Sequence, residues 1–501
     1  MNIELQLLGS ALRSIAEEMG AVLIRSAFSA NIKERRDCST ALFDERGRMI
    51  AQAEHIPVHL GAMPDAVAAV MQQNPGPEDI FVLNDPYAGG THLPDVTLVS
   101  RTEVGFAVSR AHHADVGGVE PGSMPADSRT LADEGVVIPP TRIDDEVLAD
   151  LVARMRSPDE RRGDFRAQLA AHSLATGRLT ELCALRGRDR VVAAMDELFD
   201  YSERIVRAAI ARLPDGKFEA EDVLEAPEGD LAIHAAITIA GDEIAFDFAG
   251  TAAQHSGNLN CPLSVTRSAS YFVVRCLTAP DLPSSGGAFA PVAVRAPEGS
   301  LVNARPPAAV AAGNVETSGR IVDTLFAALG QAVAVPAQGQ GTMNNVTIGS
   351  ERFTYYETLG GGQGACPDAD GPSAVHVTMS NTLTTPAEAL ELAYPLRVER
   401  HALRLGSGGS GRHRGGDGVI RELRALEPCR LSVISERRRH PPRGARGGEP
   451  GQPGRNYVND EELPSKATRD LEAGDVVRIE TPGGGGFSSP SPSATPSRDS
   501  A

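Results

Sequence analysis

The chain has no tryptophan, and aromatic residues make up only 4% of its 501 positions. Surfaces that stack nucleic-acid bases need such rings, so that class of partner is disfavoured. Positive charge is also short: the formal net charge is −18, which repels a phosphate backbone. Lysine occurs only at Lys33, Lys217 and Lys466, leaving few candidates for Schiff-base chemistry. The cysteines (Cys38, Cys183, Cys261, Cys276, Cys366, Cys429) form no C-x-x-C pair, which argues against a zinc knuckle or a thioredoxin-type site. No apolar run reaches the length of a membrane span. The opening MNIELQLLGSALRSIAEEMG carries acids where a secretory leader would carry bases. A cytoplasmic protein with reduced thiols and no membrane partner is therefore expected. G-x-x-x-x-G-K-[ST] and G-x-S-x-G are missing too, so the chain shows neither a Walker loop nor a serine-hydrolase elbow.

What remains is an acidic globular composition long enough for several domains. Leu8, Leu12, Ile15, Met19 and Val22 recur at helical spacing and predict an amphipathic helix over residues 3–28. The stretch around DERG reads as a β-hairpin, and DIFVLNDPYAGG as a strand emptying into a loop. Residues 158–212 are helical by pattern. LAIHAAITIAGDEIAFDF predicts a second hairpin, and helices are expected at SVTRSASYFVVRCLTA and GRIVDTLFAALGQAVA. Beyond residue 400 glycine, arginine and short strands dominate. The class is α/β (mixed α+β), multi-domain. The expected regions are 1–157 with the candidate site, a helical segment 158–213, a central α/β region 214–400, a β-rich region 401–487 and a disordered tail 488–501.

Histidine carries the functional signal. Of 12 histidines, five lie between residues 55 and 113 (His55, His59, His92, His112, His113). His92 and Asp95 form an H-x-x-D pair in NDPYAGGTHLPD, and His112, His113 and Asp115 follow in HHADVGG. Imidazole nitrogen beside carboxylate oxygen suits Mn²⁺, Zn²⁺ or Fe²⁺. An isolated histidine in apolar surroundings is more often plain hydrogen-bonded structure, but the clustering favours a metal. If the run into HHAD is extended, His112 and His113 face opposite sides, so one of them is a ligand and the other supports or packs. Cys38 reads as a small buried hydrophobe before a nucleophile. The stretches TLGGGQGACPDADG and GSGGSGRHRGGDG read as tight turns with close backbone packing.

The ordered set NIKERRDCSTALFD, NDPYAGGTHLPD, HHADVGG, PGSMPADSRTLADEGVVIPP, DFAGTA, GNVETSGRIVDTLFAALG, YYETLGGGQGA and GDVVRIETPGGGGF resembles the hydantoinase B/oxoprolinase family, over about residues 3–487. The resemblance implies a subunit of an ATP-dependent hydrolase that opens a cyclic amide of hydantoin or 5-oxoproline type. Phosphorylation of the substrate would occur on a partner, the hydantoinase A-type ATPase. It also implies a divalent-metal site made by Glu34, His92, Asp95 and His113, with His112 the alternative, and with Asp85 and Asp115 as supporting carboxylates. Two other outcomes stay open at this point. One is a related acetone- or acetophenone-type carboxylase subunit acting on a ketone. The other is a stand-alone metal amidohydrolase, or a scaffold without catalysis.

Overall fold

The computed structural model describes residues 2–54, 56–278, 282 and 284–489. His55 and most of the expected tail lie outside them. The first helix, Ile3–Ser26, begins where Asn2 accepts a hydrogen bond from the Leu5 amide. Leu5, Leu8, Leu12, Ile15, Met19 and Leu23 are buried along one stripe. That stripe packs on the long helix Pro158–Arg186 and on the edge of the first sheet.

Six strands build that sheet: β1 (Cys38–Asp44), β2 (Met49–Glu54), β3 (Ile80–Leu83), β4 (Asp95–Thr102), β5 (Gly105–His112) and β6 (Thr141–Arg142), in the order β2-β1-β5-β4-β3-β6. Every pairing is antiparallel. Both faces are buried, and the pleat sorts them. Ala107 and Ala111 pack toward the helices Ile3–Ser26 and Pro158–Arg186, while Phe106 and Val108 join the central core.

The central region carries β7 (Gly216–Ala226), β8 (Gly229–Ala240), β9 (Glu243–Asp247) and β10 (Val292–Arg295), with only the β9–β10 pair parallel. Helices Leu263–Leu277 and Ser318–Leu329 lie against it, near where the periodicity put them. A third sheet runs β12 (Thr354–Glu357), β11 (Asn345–Gly349), β15 (Cys429–Ile434), β18 (Lys466–Leu471). It thus joins strands from both sides of residue 400. The fourth contains β13 (Leu396–Arg404), β14 (Gly418–Ala425), β19 (Val476–Glu480), β16 (Arg455–Val458) and β17 (Glu461–Leu463) in that order. The fold is mixed α/β, multi-domain in style and strand-rich toward its C-terminal end.

The glycine-rich stretches do more than turn. The amides of Gly483, Gly484, Gly485 and Gly486 donate in succession to the carbonyls of Gln452, Gly416, Gln338 and Glu449. A β-strand alternates between neighbours on either side, whereas here successive amides go to separate segments, as in packed polyproline II chains. Side chains have no room: a Cβ on Gly484 would lie 2.0 Å from the Gln363 carbonyl oxygen.

Ion pairs tie the central region to the C-terminal one. Asp222 on β7 faces Arg320 and Arg437, and Arg437 also pairs with Asp323 at 2.6 Å. All four are buried. Burial alone would raise the Asp222 carboxyl, but the guanidiniums outweigh it and hold the group well below the usual carboxylate range.

Candidate metal centre

β4 and β5 form a hairpin whose register makes Asp95 and His112 direct cross-strand partners. Residues opposite one another in an antiparallel pair share a face, so the two side chains meet. His92 joins them because the chain turns just before β4, where the Asp95 amide donates to the His92 carbonyl at 3.1 Å. His92 Nε2 and His112 Nδ1 lie 3.2 and 3.3 Å from Asp95 Oδ1, and 3.3 Å from each other. Donors about 2.1 Å from one tetrahedral ion would be about 3.4 Å apart, so the three atoms have the separation of a ligand set.

The surroundings hold these groups in place. Thr91 donates its hydroxyl to Asp95 Oδ2. The His112 ring stacks on Tyr356 at 4.6 Å between centroids, and the Tyr356 hydroxyl donates to Asn345 Oδ1 at 2.7 Å. His59 descends on the short turn Pro57–His59, its Nδ1 2.9 Å from Ser39 Oγ and its Nε2 3.5 Å from Asp95 Oδ2. His59 Nε2 is buried with no hydrogen-bond partner among the described residues, a polar atom beside the cluster of the kind a bound ion or water relieves. The cavity that the four residues share has about 20 Å³ of room, enough for an ion or a water, and it is open on one side rather than sealed. Burial disfavours a charged Asp95, yet His92, His112 and His59 together outweigh it and keep the carboxyl well below its usual range. Burial pushes His112 the other way, down, toward the neutral imidazole that can ligate a cation.

Of the residues singled out in the sequence, the structure brings together His92, Asp95 and His112. His113 leaves on the opposite face of the pleat: its Nε2 is 3.0 Å from Gln168 Oε1 and its ring lies against Phe165. Burial there lowers its pKa to about 4. Glu34 ends the short helix Ala30–Lys33, partly exposed and outside the cavity. Three positions on, Asp37 lines the cavity instead, and its charge acts on His112. Asp85 caps a turn by accepting from the Tyr87 amide at 2.9 Å. Asp115 fastens its own loop, accepting from the amides of Gly117 and Gly122 and pairing with Arg156. Neither carboxylate reaches the imidazoles as a support; Ser39, Thr91 and Tyr356 surround the cluster instead. His112 had a readable signal. The hairpin from Asp95 to His112 turns tightly at Glu103 and Val104, and counting back from that turn sets His112 opposite Asp95.

Fold and cluster together define an α/β protein with a buried His–Asp–His centre able to take a divalent cation. Its relatives give that class a family. The sequence matches the hydantoinase B/oxoprolinase family over residues 1–490, and the chain belongs to it. It is 39% identical to 5-oxoprolinase 1 of Arabidopsis thaliana, over 97% of this chain and 42% of that one. It is 31% identical to the B-type subunit of a putative D-/L-hydantoinase from Pseudomonas sp. (strain NS671), over 97% of this chain and 90% of that one. The chain therefore spans about two fifths of the oxoprolinase and nearly the whole of the hydantoinase chain. Among solved structures it superposes on the ATP-dependent caprolactamase from Pseudomonas jessenii with a TM-score of 0.91 and 28% identity, covering 97% of this chain and 91% of that one. Acetone carboxylase, in its nucleotide-free structure, shares the fold at a TM-score of 0.86 and 18% identity, covering 97% and 75% of the two chains. No helix among the described residues is long and apolar enough to cross a membrane.

Proposed function

We propose that this chain is the B-type subunit of an ATP-dependent cyclic-amide hydrolase of hydantoinase or 5-oxoprolinase type. An A-type ATPase partner would phosphorylate the amide oxygen, and the His–Asp–His cavity would complete ring opening. The observation that carries the reading is the convergence of His92 Nε2, Asp95 Oδ1 and His112 Nδ1 in one buried cavity within a chain of this family. The names of the relatives support it, since hydantoins, 5-oxoproline and caprolactam are all cyclic amides.

His92, Asp95 and His112 would hold a divalent cation (Mn, Zn or Fe) with Asp37 and His59 beside them. Such a cation supplies Lewis acidity toward an acyl oxygen and lowers the pKa of a coordinated water. The protein's own share is positional. Thr91 fixes one oxygen of Asp95 and leaves the other to the imidazoles. Tyr356 fixes the plane of the His112 ring. His59 stands where it can accept a proton from a water near Asp95, with Ser39 Oγ against its Nδ1 holding the ring in place. Burial of His92, Asp95 and His112 keeps bulk water away from the cation they would hold.

Co-expression with an A-type chain tests the reading. Turnover of a hydantoin, 5-oxoproline or lactam should need both chains, ATP and a divalent metal, and His92→Ala should abolish it with loss of bound metal. Full turnover by the isolated chain without ATP would overturn the division of labour. Bicarbonate-dependent consumption of a ketone in place of amide hydrolysis would assign the carboxylase chemistry instead.

A further inference from the structure

The cavity that the histidines line also carries a set of hydroxyl groups. Thr358, Ser380 and Thr382 all line it, and all three are buried. Behind them is Arg35, fully buried and paired with no carboxylate among the described residues. Its Nη2 donates to Thr358 Oγ1 at 2.7 Å and to Thr382 Oγ1 at 3.2 Å, and its Nη1 donates to the Tyr356 carbonyl at 2.8 Å. Thr358 Oγ1 and Thr382 Oγ1 are 2.7 Å apart. His376 bridges onward, with Nε2 3.3 Å from Thr382 Oγ1 and Nδ1 2.6 Å from Ser380 Oγ.

The hydrogens of this chain can be counted. Thr358, Thr382 and Ser380 carry one hydroxyl hydrogen each, and a neutral imidazole carries one N–H. Among the described residues these hydrogens have the contacts Thr358–Thr382, Thr382–His376 and His376–Ser380 to use. One hydrogen is left over, and every hydroxyl that can hold it faces the cavity. Arg35 decides which one. A guanidinium only donates, and its charge repels hydrogens, so each group turns its oxygen or lone pair toward Arg35 and its hydrogen away. Thr358 then donates to Thr382, Thr382 to His376 Nε2, and His376 Nδ1–H to Ser380 Oγ. The surplus hydrogen falls on Ser380 and points into the cavity.

We infer that Ser380 is a substrate-binding hydroxyl that donates to the oxygen on which negative charge develops, and that His376 is its positioning residue. Resting on the cyclic-amide reading above, this names a group outside the metal cluster that recognises the substrate in the same cavity. An uncompensated buried guanidinium behind a fixed donor suits an oxyanion, because such donors need no reorientation as charge builds.

Cobalt-loaded protein with azide as the anion tests it by visible absorption, without turnover. Wild type should bind cobalt and show a saturable spectral change with azide. Ser380→Ala should keep cobalt at full stoichiometry and weaken azide by about tenfold, the worth of one hydrogen bond to an anion. Ser380→Thr should restore it. Thr382→Val, which cuts Ser380 off from Arg35 but leaves the serine in place, should weaken azide as well. Unchanged azide affinity in both Ser380→Ala and Thr382→Val, with cobalt bound, overturns this inference and leaves the metal reading standing. Failure of the wild type to take cobalt overturns the metal reading and this inference with it.

Discussion

Replacing His112 and His113 one at a time separates two neighbours that the pleat sends to opposite faces. His112→Ala removes one of the donors that converge on Asp95. Losing even an outer partner of a metal site costs about 10- to 100-fold in affinity, so loss of a direct ligand should exceed about 100-fold. His113→Ala touches nothing in the cavity. It strips Gln168 Oε1 of a partner at 3.0 Å and leaves a space against Phe165. An unmet buried acceptor plus a small cavity costs about 2–4 kcal/mol, which appears as a lower urea midpoint. The assay pairs chelator competition for Zn²⁺ with urea unfolding of the metal-free protein. Wild-type metal affinity with lowered stability is expected for His113→Ala, and the loss of affinity for His112→Ala alone. If His113→Ala released the metal while His112→Ala kept it, the assignment drawn from the β4–β5 register would be wrong.

Gly484→Ala should prevent soluble accumulation or lower the melting temperature sharply, since its Cβ would sit 2.0 Å from a backbone oxygen that cannot swing away; a wild-type melting curve would show that the glycine bundle yields. Asp222→Ala leaves Arg320 and Arg437 without that carboxylate in a buried setting and should cost about 3–5 kcal/mol in urea unfolding; a loss below about 1 kcal/mol would mean the remaining partners suffice. Glu134 is buried, and burial pushes its carboxyl up to about 7 although the Ala311 and Val310 amides and Ser128 donate to it. The folded chain therefore keeps a proton that the unfolded chain releases above its ordinary value, so stability falls as pH rises from about 4.5 to 7, by up to about 3 kcal/mol. Urea midpoints at pH 5 and 8 should show that fall in the wild type and a shallower one in Glu134→Gln; identical slopes would remove Glu134 as the cause.

Local pattern determined much of this molecule. The stripe from Leu8 to Met19 could only be an amphipathic helix, because apolar side chains at that spacing share one face whatever they pack on. The hairpin β8–β9 followed from alternation and its Gly-Asp turn. His92 and Asp95 were legible as a pair because both lie on one short turn of chain. Between His112 and His113 the alternation stated only that the two diverge. Choosing required the register of the β4–β5 hairpin, which follows once its turn is placed at Glu103 and Val104. Asp37 in place of Glu34 depends on how the short helix Ala30–Lys33 delivers the chain to β1. Tyr356, Ser380 and Thr382 come from more than 240 residues further along (356 − 112 = 244) and reach the cavity only when β12 and its following loop close over the first sheet. Contacts of that range leave no period in the sequence, because each is fixed by packing and not by the chain on either side. The glycine stretches show the same division: their lack of side chains was plain, but only the assembled bundle shows that backbone oxygens occupy the space each Cβ would need.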